Sequence, residues 1–78
     1  MTNFEKYVQA FVSALEVSAE EASALVYGKS EKWDSVGHMT LVAAIEDAFD
    51  IMMDMDDIID FSSFEKGKEI LKRYDVEL

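Results

Sequence analysis

The sequence predicts an all-α protein, a small four-helix bundle with three main helices and one short one. Three observations predict it. The dominant apolar period along the chain is helical. The Ser/Thr-x-x-Glu pattern that opens helices occurs as Thr2 with Glu5, Ser18 with Glu21 and Ser62 with Glu65. Helix breakers are scarce, with no proline and three glycines, and no repeat or low-complexity tract interrupts the pattern.

In chain order, Thr2 and Glu5 open a first helix whose apolar stripe is Phe4, Tyr7, Val8, Phe11, Val12 and Leu15, spaced at i, i+3, i+4, i+7, i+8 and i+11. Ser18 with Glu21 repeats the capping pattern, but the apolar follow-up (Ala22, Leu25, Val26) is brief and Gly28 breaks it. Residues 16 to 33 therefore read as a long connection holding one or two helical turns, and connections of that length are often functional. A second long helix begins at Asp34 or Ser35. Met39, Val42, Ile45 and Phe49 trace its inner face, and Leu41, Ala44 and Ala48 widen it. Asp50 to Met53 form a turn, and Asp54 is placed to cap a short helix holding Ile58, Ile59 and Phe61. Ser62 with Glu65 opens a last helix with Phe64, Gly67, Ile70, Leu71 and Tyr74 inward. Gly67 costs that helix about 1 kcal/mol relative to alanine, so a close approach by a neighbour is expected there.

The 78 residues make one domain, residues 1–78. With 50% apolar residues a compact core forms without staples. The absence of cysteine excludes disulfides, thiolate zinc sites and a cysteine nucleophile, and nothing points to an oxidising compartment. No long uncharged apolar run is present, so no membrane span is expected. Met1-Thr2-Asn3-Phe4-Glu5 lacks the basic and apolar regions of a signal peptide. A soluble, cytoplasmic monomer is the expectation.

Seventeen acids against seven bases leave a formal charge of −10. That argues against nucleic acid and anionic membrane surfaces and fits partners with basic patches. From Glu46 to Asp60 there are seven acids and no Lys or Arg, a stripe of one sign. Within it, Asp54, Asp56, Asp57 and Asp60 lack the central glycine and late glutamate of a calcium loop, so no dedicated metal site is expected.

The chemistry centres on Trp33-Asp34-Ser35-Val36-Gly37-His38-Met39-Thr40-Leu41-Val42. An Asp-Ser-aliphatic triplet at a helix start is, by itself, an N-cap. Here it is followed by Leu41-Val42, Ile45-Glu46, Phe49-Asp50, an acidic short helix, Ser62-Ser63-Phe64 and a closing amphipathic helix. This layout, from Asp34 to about Leu71, resembles the acyl carrier protein family, whose members bind phosphopantetheine. The resemblance implies a carrier-like bundle in which a 4'-phosphopantetheinyl transferase attaches a 4'-phosphopantetheine arm to Ser35, with Asp34 and Val36 flanking the attachment. The arm's thiol would hold an acyl group as a thioester in fatty acid, polyketide or more specialised acyl metabolism. A first-turn serine also suits a phosphodiester on its own merits, because free amides and the positive end of the helix dipole lie beside it.

The implied partners are the transferase, an acyl ligase or acyltransferase, and ketosynthase-type enzymes that dock through basic patches. The docking residues implied are Trp33, Gly37, His38, Thr40, Glu46, Asp47 and Asp50, beside Val36. Carriers of fatty acid synthesis commonly have acids at the positions of Gly37 and Thr40; their absence here points to a carrier for a specialised pathway. Trp33 is read first as packing on the helix it precedes, with a recognition role beside the arm as the alternative. His38 reads as a half-exposed first-turn residue, and no Ser-His-Asp arrangement is implied. Met39, Met52, Met53 and Met55 read as core or edge filler; in the family such an interior often shelters the acyl chain. No enzymatic activity is expected, since one histidine and no cysteine leave few ways to assemble a site. The alternatives are an aminoacyl or peptidyl carrier with the same arm, and an acidic helical adaptor that uses the triplet only as a cap.

Overall fold

A computed structural model describes all 78 residues, Met1–Leu78. The first helix, α1 (Asn3–Leu15), starts at a reciprocal capping box: Thr2 N–H donates to Glu5 Oε1 at 2.9 Å and Glu5 N–H donates to Thr2 Oγ1 at 3.1 Å. The bond from the Thr2 backbone N–H first, and then the Thr2 hydroxyl, favour the carboxylate and hold the Glu5 carboxyl below its usual range. Tyr7, Ala10, Phe11 and Leu15 are the buried face. Of the expected stripe, Phe4 stays exposed and Val8 and Val12 are half-buried, while Ala10 takes a core place that its size had hidden.

The connection after α1 contains α2 (Ala19–Ala22), one short helix opened by the Ser18–Glu21 box. The structure therefore has five helices, two of them short, where four were expected. The rest of the connection is held by backbone bonds to a distant segment. Tyr27 N–H donates to Ser62 O at 2.8 Å and Phe64 N–H to Leu25 O at 3.2 Å, around an antiparallel bridge between Val26 and Ser63. Gly28, with φ +82°, turns the chain in a conformation that favours glycine.

The long helix α3 (Ser35–Phe49) follows and packs against α1. It buries Leu41, Val42 and Ile45 and closes at Asp50, whose φ of 52° is left-handed. Met39 does not join that face: it is 59% exposed. At 100° per residue it lies roughly 115° round the helix from the centre of the buried trio.

Next comes α4 (Met55–Asp60). Asp54 does not cap it through its side chain as expected; its backbone N–H instead donates to Tyr74 Oη at 2.8 Å. Only Asp57 of this helix is buried. Its carboxylate accepts from the Arg73 guanidinium and the Tyr74 hydroxyl, so one member of the acidic stripe is an internal anchor. Partial burial, and then the bond to Asp57, push the Tyr74 phenol up.

The last helix, α5 (Phe64–Lys72), is capped by Ser63, which accepts from Lys66 N–H at 3.0 Å. The expected cap, Ser62, is displaced by one residue because its carbonyl serves the bridge to Tyr27. Phe64, Gly67, Ile70 and Leu71 point inward as expected, and Tyr74 is half-buried.

The core is aromatic. Tyr7, Phe11 and Phe64 have ring centroids 4.8 to 5.1 Å apart. Trp33 stands edge-on to Phe11 at 5.4 Å and to Phe61 at 6.0 Å. Each such ring removed from water stabilises the fold by about 2–3 kcal/mol. Tyr7 donates its hydroxyl to Phe64 O at 2.6 Å, which satisfies the one polar atom it carries inside. Burial, with the charge of Glu65 adding, pushes that phenol far above the ordinary tyrosine range. No helix is long and apolar enough to cross a membrane.

Candidate functional site

The amino end of α3 is assembled from three segments: the tail of the connection, the first turn of α3, and α4. Asp34 is the N-cap; its Oδ1 accepts from Gly37 N–H at 2.8 Å, and its carbonyl accepts from His38 N–H at 2.8 Å. Ser35 is the first helical residue and is exposed. The amides of Ser35 and Val36 have no acceptor in the chain, so two donors and the positive helix end face the solvent around the hydroxyl. Val36 beside it is 75% exposed.

His38 lies one turn on but is not aimed at Ser35. Its Nδ1 accepts from Trp33 Nε1–H at 2.9 Å, and its Nε2 lies 2.8 Å from Ile58 O. An indole N–H only donates and a carbonyl only accepts, so the ring must be neutral with its proton on Nε2. Both nitrogens are therefore occupied, and the imidazole supplies no base for Ser35.

The expected docking residues divide according to their angle on α3. Val36, Thr40 and Asp47 form one exposed stripe opposite the buried face, with exposed Asp50 at its end. Thr40 is tied into that stripe, its Oγ1 donating to Val36 O at 3.0 Å. The other four are less exposed. Trp33 is fully buried, so it has no surface to present; its aromatic bulk is taken up by Phe11 and Phe61. Gly37 is half-buried against its surroundings: a Cβ there would meet Lys32 O at 2.6 Å and Leu15 Cδ2 at 3.0 Å. His38 is engaged as described. Glu46 is half-buried and its Oε2 accepts from Met53 N–H at 2.9 Å, bracing the turn into α4.

One set of residues was missed. The predicted apolar faces do not foresee Met39, Met55 and Ile59 as surface residues, yet Met55 is 72% and Ile59 71% exposed. With Tyr27, His38, Ile58, Phe61 and Ser62 they line an open groove of ≈ 460 Å³ between α3 and α4. Met52 is exposed too, and among residues 39 to 55 only Met53 is a core methionine. The signal for Met39 was available, since it falls off the Leu41–Val42–Ile45 face. For α4 it was not, because six residues carry too little periodicity to choose a face.

The arrangement thus offers an exposed hydroxyl, two free amides and an apolar groove, with Asp47, Asp50, Asp56 and Asp60 exposed elsewhere along α3 and α4. No group of three His, Cys, Asp or Glu side chains is placed to hold a metal ion. Comparison with protein-family models, with curated proteins and with solved structures finds no match for this chain.

Proposed function

We propose that this chain is an acyl carrier protein in which Ser35 bears a 4'-phosphopantetheine arm. The observation that carries the reading is the exposed Ser35 at the first position of a capped 15-residue helix, with two unpaired amides beside it. The residues fit the group. A phosphodiester on Ser35 Oγ would find the unpaired Ser35 and Val36 amides and the positive helix end beside it. Asp34 holds the first turn in shape through Gly37, and Gly37 has no Cβ because the Lys32 carbonyl occupies that space. The arm, once bound, supplies a thiol that carries the acyl group as a thioester.

The chain's own part is presentation. Exposed Val36 flanks the attachment point, Met39, Met55 and Ile59 line the apolar groove, and Thr40, Asp47 and Asp50 stand exposed along α3. A partner with an apolar centre and a basic rim fits it: a phosphopantetheinyl transferase, an acyl ligase or acyltransferase, or a ketosynthase-type enzyme. Trp33, Gly37, His38 and Glu46 hold this surface up from behind.

The experiment is intact mass after incubation with coenzyme A and a broad-specificity phosphopantetheinyl transferase. The chain gains one phosphopantetheine, and Ser35→Ala gains none while keeping its helical circular dichroism. An unmodified wild-type chain, or an equal gain in the Ala variant, rejects the reading.

A further inference from the structure

We propose that His38 is a proton-operated latch that closes the groove between α3 and α4. The bridge runs from Trp33 Nε1–H to His38 Nδ1 at 2.9 Å and from His38 Nε2–H to Ile58 O at 2.8 Å, joining the connection, α3 and α4 through one imidazole. His38 is the only histidine of the chain, and its ring forms a wall of the groove. Trp33 stacks on it with centroids 6.0 Å apart and planes at 26°, while Tyr27 and Phe61 stand edge-on at 5.1 and 6.1 Å.

Only the neutral ring satisfies both bonds. A proton added at Nδ1 points at the Trp33 N–H, donor against donor at hydrogen-bond distance. Trp33 is fully buried, so its indole N–H has no water to turn to and is left unsatisfied. The imidazolium keeps its donor for Ile58 O, and it relieves the clash with the Trp33 N–H by swinging out toward solvent. The groove then loses the wall that separates it from Trp33 and deepens.

Ionisable groups stand on each surrounding element, and none of them hydrogen-bonds the His38 ring. Tyr27 meets the ring from the connection. Asp34, one turn back, has its carboxylate on Gly37. On the α4 side, Asp54, Asp56 and Asp60 are exposed, and Asp57 is bound by Arg73 and Tyr74. The device acts on the unmodified chain and does not depend on what Ser35 carries.

The test is a nuclear magnetic resonance titration of the full, unmodified chain from about pH 8 to about pH 5, the span in which histidine changes charge. The His38 Hε1 signal reports the protonation and the Trp33 indole proton reports the bridge. As His38 titrates, the indole proton exchanges at least about tenfold faster, the scale of one buried hydrogen bond lost. Binding of an apolar dye to the groove rises over the same range. In His38→Gln the amide N–H faces Ile58 O and the amide oxygen faces Trp33, without a proton to gain, so both readouts stay flat. An indole proton that stays protected while His38 titrates overturns the proposal. So does a histidine that stays neutral until the chain unfolds, or a folded Gln variant with the wild-type pH response.

Discussion

Replacing Gly67 by alanine sets helix propensity against packing, and the structure says packing wins. In an open helix the change would stabilise by about 1 kcal/mol. Here a Cβ on residue 67 runs into the Tyr7 hydroxyl and the Phe61 ring, with Phe61 Cε1 only 2.7 Å away. Neither neighbour has room to yield: Tyr7 is fully buried and Phe61 nearly so. Moving the phenol stretches its bond to Phe64 O, worth about 1–3 kcal/mol when a buried group is left unpaired. Forcing one methyl into a filled core adds about 1–3 kcal/mol. Net of the propensity gain, Gly67→Ala should destabilise by about 3 kcal/mol, a large share of the stability of a domain this size. Urea unfolding, followed by Trp33 fluorescence and circular dichroism, measures it. The cause can be checked with Tyr7→Phe, which deletes the hydroxyl that the new methyl meets. The double variant should then lose at least about 1 kcal/mol less than the sum of the two singles. A neutral or stabilising Gly67→Ala, or strict additivity with Tyr7→Phe, would show that the contact across residue 67 is not what holds α5 against α1.

Three further outcomes follow from the same geometry. Asp57→Ala and Arg73→Ala should each cost about 1–2 kcal/mol, discounted because Arg73 is largely exposed; a double-mutant cycle should give a coupling near 1 kcal/mol, and no coupling would mean the pair does not anchor α4. Glu46→Ala should cost about 1 kcal/mol by freeing the Met53 amide, and faster hydrogen exchange at that amide identifies the lost bond. Alkaline stability should be full below a pH of about 10 and fall above it, because the unfolded chain releases tyrosine protons there while Tyr7 and Tyr74 hold theirs in the fold. Absorbance of tyrosinate should show Tyr7 ionising only together with unfolding, and an early, reversible Tyr7 step in the folded chain would contradict its burial.

What could be read along the chain was whatever depends on neighbours three or four residues apart. The Thr2–Glu5 and Ser18–Glu21 boxes, the start of α3 at Asp34–Ser35, and the inward Phe64, Gly67, Ile70 and Leu71 are of this kind. So is the exposed Ser35, since the first residue of a helix has no preceding turn to cover it. Tertiary structure decided the rest. Trp33 went into the core because Phe11 and Phe61, distant in sequence, make a place for an indole. His38 became a bridge only because the Ile58 carbonyl arrives opposite Trp33. Glu46 and Asp57 left the acidic surface because Met53, Arg73 and Tyr74 meet them. Met39, Met55 and Ile59 stayed outside because nothing packs over the flank between α3 and α4. Local spacing sets which faces of a helix are apolar; which of them are covered, and which polar groups find partners, depends on segments that meet only after the chain has folded back on itself.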